Sequence, residues 1–200
     1  MAKTAEIELK AHVGNSDECK KTLDGLAGEG TAFSKDDTYW FAPAVLHYFS
    51  GPRVRQETKE NRPRTLVTWK NKQKRGELEV NDEHELEVTD GKEFEALLVL
   101  LGLEKQTVKH KQGWSWHYDG ITIELCEVSG SVKKSFKKNS SARQGRVKNL
   151  GWFLELEIIT DDDSEKTIAL ARDRLFAVLE KAGIGKETME SRYYAEMLAE

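Results

Sequence analysis

The chain has 200 residues, which is one large domain or two small ones and enough to bury a sizeable core. With 31 Lys and Arg against 35 Asp and Glu, the net charge is −4, which argues against a general nucleic-acid or membrane-surface binder. Charged residues make up 33% of the chain, so many must gather in places other than a random surface. Cys19 and Cys126 are far apart and have no metal-site spacing, as expected of free thiols in a reducing compartment. MAKTAEIELK carries no apolar signal core, and the longest apolar run, Ala96–Leu101, is too short to span a bilayer. The expected location is the cytoplasm, with no membrane partner.

AEIELKAHV (5–13) alternates strictly, with Glu6, Glu8, Lys10 and His12 on one side and Ile7, Leu9, Ala11 and Val13 on the other. That is a strand period. Asn15-Ser16-Asp17-Glu18 reads as a helix start, and the helix runs to about Gly28. A strand follows through Thr38–Phe41, and Pro43–Tyr48 is expected to form a short helical turn. PRVRQET (52–58) and RTLVTWKNK (64–72) read as strands separated by a polar, Pro-containing loop. EHELEVT (83–89) alternates again, and Gly91–Leu101 has the apolar spacing of a short helix stopped by Gly102. EKQTVKHKQGWSWHYD (104–119) and ITIELCEV (121–128) form a hairpin turning at Asp119-Gly120. LGWFLELEII (150–159) is the last strand, before helices at roughly 163–182 and 186–199. About eight strands with few helices between them point to an antiparallel barrel or sandwich.

SVKKSFKKNSSARQGRVKN (131–149) holds seven Lys or Arg and no acid. It reads as a mobile surface loop or as a basic flap over a phosphate-bearing ligand.

The strands share one feature. Arg53 and Arg55 alternate with Val54; Lys70 and Lys72 share a face with Thr68; Glu83, Glu85 and Glu87 share a face. Lys109 and Lys111 follow Thr107, Glu124 sits between Ile123 and Leu125, and Glu155 and Glu157 alternate with Leu154, Leu156 and Ile158. Any one file is the wet face of an ordinary sandwich. As a set the files are sorted by sign, acidic on some strands and basic on others, whereas a surface built for solubility mixes signs. Clustered carboxylates suit hard divalent cations such as Mg²⁺ or Mn²⁺, and clustered Arg and Lys suit a polyanion. Together they describe a metal–polyphosphate site. A barrel with charged faces inward and apolar faces outward under helices would make Glu6, Glu8 and Lys10 line a tunnel. His12 shares their face, but the histidines show no ligand spacing. Trp114 and Trp116 read as packing under helices or capping a strand end rather than stacking a base, and Tyr193 and Tyr194 as packing of the last helix or closure of a tunnel mouth.

These residues resemble the CYTH family, the triphosphate tunnel metalloenzymes. Glu6-x-Glu8-x-Lys10 matches its ExExK signature. RVR (53–55), TWK (68–70), the acidic strand around Glu83 and Glu85, VKHK (108–111) and LGWFLELE (150–157) follow in family order, and SRYYAEML near the end is similar to the class IV adenylate cyclase branch. The resemblance covers nearly all of a single 1–200 domain, with 131–149 as a basic insertion. It implies an eight-stranded antiparallel tunnel, with helices outside, that holds a triphosphate end-on with Mg²⁺ or Mn²⁺. By position, Glu6, Glu8, Glu155 and Glu157 are expected on the metal, and Lys10, Arg53, Arg55, Lys70, Lys72, Lys109 and Lys111 on phosphate. Lys10, Glu83 and Glu85 are the candidate catalytic residues, the acidic pair orienting the basic groups or helping to hold metal. The family's Asp in the strand before the last is replaced by Cys126, a poor Mg²⁺ ligand; Glu124 on the same face is the substitute.

Such a lining stabilises charge on a transferred phosphoryl group. Attack by a ribose 3′-hydroxyl on the α-phosphorus gives a cyclic nucleotide and pyrophosphate, the phosphorus–oxygen lyase reaction. Attack by water on the γ-phosphorus gives a triphosphatase acting on tripolyphosphate, thiamine triphosphate or a nucleoside triphosphate. The cyclase-like enzyme is the leading expectation. A tunnel holding polyphosphate, nucleotide or RNA ends without turnover is the alternative of another class. The expected partner is a nucleoside triphosphate or inorganic polyphosphate; nucleic acid would have to use 131–149, and a homodimer is left open.

Overall fold

The computed structural model describes residues 5–41, 51–133 and 145–200, with the backbone alone for Asn71, Lys72 and Lys74. The strands are β1 (Ala5–Val13), β2 (Thr31–Phe41), β3 (Arg53–Lys59), β4 (Arg62–Arg75), β5 (Leu78–Val88), β6 (Glu104–Tyr118), β7 (Ile121–Val132) and β8 (Lys148–Thr160). They close into a barrel in the order β1-β5-β4-β3-β2-β6-β7-β8, and every pairing is antiparallel. Among the described residues four helices accompany them: α1 (Ser16–Ala27), α2 (Gly91–Leu100), α3 (Glu165–Lys181) and α4 (Tyr194–Ala199). Among the described residues none is long and apolar enough to cross a membrane.

Local chemistry sets these boundaries. The Asn15 side chain accepts from Glu18 N at the start of α1, Asp90 from Lys92 N and Glu93 N at α2, and Ser164 from Thr167 N at α3. Each satisfies a donor that the first helical turn leaves open. Asp119 and Gly120 both have positive φ, 50° and 69°, which gives the two-residue hairpin turn expected between β6 and β7. Glu60 and Asn61, at 52° and 59°, make the same kind of turn between β3 and β4. The polar loop read from the sequence there is therefore only two residues long, and Pro63 lies inside β4 opposite Thr58. The final segment also differs from expectation. A single 3-10 turn at Lys186–Thr188 and a bridge from Met189 to Ala11 come before the short α4. The helical turn expected at Pro43–Tyr48 lies outside the described residues. So does most of 131–149, whose ends complete β7 and begin β8.

Apolar packing lies mainly outside the barrel. Ile7, Leu9 and Ala11 of β1, Ile121, Ile123 and Leu125 of β7, and Leu154 and Leu156 of β8 pack under Leu175, Val178 and Leu179 of α3 and Leu23 of α1. Trp116 joins them, its Nε1 donating to Asp24 Oδ1 (3.1 Å) and to the Gly28 carbonyl (3.0 Å). On the far side, α2 places Leu98 and Phe94 over Trp40, Val54 and Val67. Each large side chain so buried contributes about 1.5–3 kcal/mol. A third cluster, of Phe33, Cys126, Val128, Phe153 and Met197 with Tyr194 against it, uses inward positions and ties α4 to the barrel. The strands thus turn their apolar files toward helices and leave their charged files for the interior, the reverse of an ordinary sandwich.

Candidate active site

The barrel encloses a cavity of about 1210 Å³. Glu6, Glu8 and Lys10 from β1, Arg53 and Arg55 from β3, and Lys70 from β4 line it. So do Glu83 and Glu85 from β5, Lys109 and Lys111 from β6, Glu124 from β7, and Glu155 and Glu157 from β8. The two-residue period makes this convergence possible, since each strand repeats its inward charge at every second position. The Lys72 side chain lies outside the described residues.

The lining mixes signs more than the sequence suggested. Lys35 and Asp37 share the inward face of β2, Glu57 follows Arg55 on β3, and Glu79 precedes Glu83 on β5. Sorting by strand fails because these acids hold the cations in place. Asp37 is fully buried and takes a forked pair of bonds from Arg55, Nε at 2.6 Å and Nη2 at 3.0 Å. Lys109 Nζ lies 3.1 Å from Oδ2, the oxygen that also accepts from Arg55 Nη2. Lys10 donates to Glu79 at 2.8 Å. Lys35 bonds Glu124 and lies 3.5 Å from Glu57. Lys70 sits between Glu6 and Glu83. Arg53 donates to Thr68 Oγ1 at 2.8 Å and lies 3.6 Å and 3.7 Å from Glu83 and Glu85. Its Nε is buried without a hydrogen-bond partner among the described residues.

Lys111 bonds Glu155, and the Tyr194 hydroxyl donates to the same carboxylate at 2.5 Å. The Tyr194 ring is also the face that Lys10, Lys109 and Lys111 approach, at 5.5, 5.1 and 5.3 Å from its centroid. A residue of the short last helix thereby braces three of the tunnel's ammonium groups.

The electrostatics divide the lining. Burial works to raise the Asp37 carboxyl, but Arg55 and Lys109 hold it well below its ordinary range. Burial is likewise outweighed at Glu155 by Lys111 and Lys109, and at Glu124 by Lys35. Lys70, which burial would lower, is raised by Glu6 and Glu83. Two carboxyls go the other way. Burial, with Glu79 and Glu155 nearby, pushes Glu8 up to about 7. Burial, with Glu6 and Glu8 nearby, pushes Glu157 up to about 9. These two are register partners across β1 and β8, and among the described residues neither has a hydrogen bond or an ion pair. Cys126 is fully buried in the apolar cluster, and burial drives its thiol well up, so it offers no anionic sulfur to the cavity.

The fit to a divalent ion can be judged from this donor set. Among the described residues no three His, Cys, Asp or Glu side chains form a ready-made cage. Beside Glu6, Glu8 and Glu157 supply two hard oxygen donors that no ion pair occupies among the described residues, Lys70 offsetting only part of their repulsion. That suits a small divalent cation that keeps waters and completes its shell with phosphate oxygens. A bound ion would also reverse the repulsion that raises these two carboxyls. Nine Lys or Arg and ten Glu line the cavity among the described residues, so the lining alone is not a positive sink for a polyanion, and metal charge would tip the balance.

The sequence reading passed over Lys35, Asp37, Glu57, Arg64 and Glu79. Their signal was present as alternation in Lys35-x-Asp37-x-Tyr39, Arg53-x-Arg55-x-Glu57 and Leu78-x-Val80, but adjacent Asp36, the short β3 and the turn at Gly76 masked it.

A CYTH domain model matches residues 4–194. The PH1012 protein from Pyrococcus horikoshii OT3 has a similar solved structure, at 24% identity and a TM-score of 0.69, over 96% of this chain and 99% of that one. A candidate adenylate cyclase from Vibrio parahaemolyticus is similar at 18% identity and a TM-score of 0.70, over 98% of each chain. A candidate adenylyl cyclase from Hippeastrum with a dominant triphosphatase activity is similar at 12% identity and a TM-score of 0.57, over 98% of this chain and 95% of that one. No curated protein matches the chain.

Proposed function

The chain belongs to the CYTH domain family, and on that footing we propose that it is a divalent-metal-dependent enzyme acting on the triphosphate of a nucleotide. The observation that carries this reading is the convergence on one cavity of Arg53, Arg55, Lys70, Lys109 and Lys111 with Glu8 and Glu157, two carboxyls that form no ion pair among the described residues. The first reaction assigned is cyclisation of ATP to cyclic AMP and pyrophosphate, in keeping with the Vibrio parahaemolyticus neighbour. Hydrolysis of the triphosphate is the second, and the Hippeastrum neighbour favours it.

In this reading Arg55 and Lys109, aimed by Asp37, meet the phosphates as charge-assisted donors. Arg53 offers its unpartnered Nε. Lys70 stands between the phosphate side and the Glu6–Glu8 end and can exchange a carboxylate for a phosphoryl oxygen. Because the carboxylates hold these cations in position beforehand, little reorganisation accompanies the growth of charge on the transferred group, and that is where the rate gain arises. Mg²⁺ or Mn²⁺ at Glu8 and Glu157 would supply the remaining neutralisation and align the triphosphate. Lys10, Glu83 and Glu85, expected to be catalytic, serve here as phosphate contact and as orienters of Lys70 and Arg53.

The test is to incubate the protein with Mg²⁺ or Mn²⁺ and each of ATP, GTP, thiamine triphosphate and tripolyphosphate, then separate the products. Cyclic nucleotide with pyrophosphate identifies the cyclase. Diphosphate with phosphate identifies the triphosphatase. Binding of all four with no product would replace the enzyme by a binding module.

A further inference from the structure

Among the described residues the Asn81 side chain enters none of the cavity's hydrogen bonds or ion pairs. It lies between Glu79 and Glu83 at the strand's two-residue period, so the three share the inward face of β5. Its register partner on β1 is Glu6, and on β4 it is Lys72, whose side chain is not described. The Asn81 side chain is 1% exposed, and neither Oδ1 nor Nδ2 has a hydrogen-bond partner. Among the described residues that leaves both atoms unmet, whereas buried polar groups normally find a partner, and leucine would fill such a space without the penalty of two unmade bonds.

The neighbourhood indicates what would satisfy it. Glu8 stands opposite Glu79, one inward step along from Glu6 opposite Asn81, and Glu8 and Glu157 form a carboxyl end that enters no ion pair among the described residues. A small divalent ion held by one or two carboxylates retains several waters, and those waters need acceptors. The nearest inward carboxylates are committed already, Glu6 to Lys70 and Glu79 to Lys10. A carboxamide oxygen accepts without adding negative charge to an end where repulsion is already large.

Resting on the reading that this end holds a divalent cation, we propose that Asn81 is a positioning residue of the metal site, its Oδ1 accepting from a water on the ion. Groups of this kind orient what the direct ligands hold, and their loss typically lowers metal affinity by about 10–100-fold.

The experiment titrates Mn²⁺ into the full-length chain, with free ion followed by electron paramagnetic resonance, alongside thermal melts in EDTA. Wild type, Asn81→Leu, Asn81→Ala and Glu157→Gln are compared. Asn81→Leu is expected to weaken Mn²⁺ binding about 10–100-fold while its metal-free melting temperature stays level or rises, a split that a merely structural role would not produce. Wild-type Mn²⁺ affinity in Asn81→Leu, with binding lost in Glu157→Gln, overturns the role of Asn81 and leaves the metal reading standing. Wild-type affinity in Glu157→Gln as well removes the ion from this end, and both readings fall. Should Asn81→Leu not fold, Asn81→Ala, which also lacks an acceptor, decides by the same criterion.

Discussion

Burial comes first among the forces on Glu157, with Glu6 and Glu8 adding repulsion, and together they push its carboxyl up to about 9. An unfolded glutamate titrates near 4.5. Between those values the folded chain keeps a proton that the unfolded chain has lost, so this group makes stability fall as pH rises across the window. Glu8, pushed to about 7, acts in the same direction over a narrower range. In EDTA, Glu157→Gln should therefore raise the melting temperature at pH 8 and flatten its fall between pH 5 and 9, as thermal melts would show. The same variant should lose at least about 100-fold in turnover, the scale of deleting an electrostatic catalytic group. Unchanged turnover in Glu6→Gln, Glu8→Gln and Glu157→Gln alike would contradict the metal role. Asp37 has the opposite sign, since its carboxyl is held down by Arg55 and Lys109. Asp37→Ala leaves those two cations buried and unpaired, and should destabilise the fold by about 3–5 kcal/mol in denaturant titrations.

At the scale of elements, α4 is short, yet it places Tyr194 against Glu155 and the three lysines and Met197 against Phe153 and Cys126. Tyr194→Phe removes the hydroxyl donor while keeping the ring. It should cost about 1.5–3 kcal/mol, the range for a hydrogen bond to a charged group, and raise the Michaelis constant for a triphosphate through a looser Lys111. A wild-type Michaelis constant with full stability would show that the helix merely packs. Here sequence and structure part for a physical reason. β1 was legible because its alternation is uninterrupted, and the hairpin at Asp119-Gly120 because its turn residues are diagnostic. The start of β5 was not, because Glu79 and Asn81 follow directly on the turn at Gly76 and Glu77, ahead of the alternation in 83–89. The true extent of α4 was hidden as well. Helical residues run through 186–199, but Met189 pairs with Ala11, a tertiary bond that no local signal announces.

Across the whole molecule, stability and chemistry occupy opposite faces of one sheet. Leu175 of α3 is fully buried against the outside of the barrel. Leu175→Ala should cost about 2–5 kcal/mol through lost burial and the cavity left behind, yet leave kcat/KM of the folded fraction close to wild type, since the tunnel is lined from the other face. The inversion of the sheet was readable from the sequence because charged and apolar files alternate on nearly every strand. The pairing inside was not, because which acid meets which base depends on the strand order β1-β5-β4-β3-β2-β6-β7-β8, which brings together residues far apart in the chain. Binding of phosphates measured by calorimetry, with and without Mn²⁺, tests the central claim most directly. Triphosphate should bind more tightly than diphosphate and diphosphate more tightly than monophosphate. Mn²⁺ should strengthen the series, and Arg55→Ala should weaken triphosphate by roughly 1.5–3 kcal/mol per lost charge-assisted bond. Equal affinities for adenosine and ATP, unmoved by Mn²⁺ or by Arg55→Ala, would contradict a tunnel built for a metal-bound triphosphate.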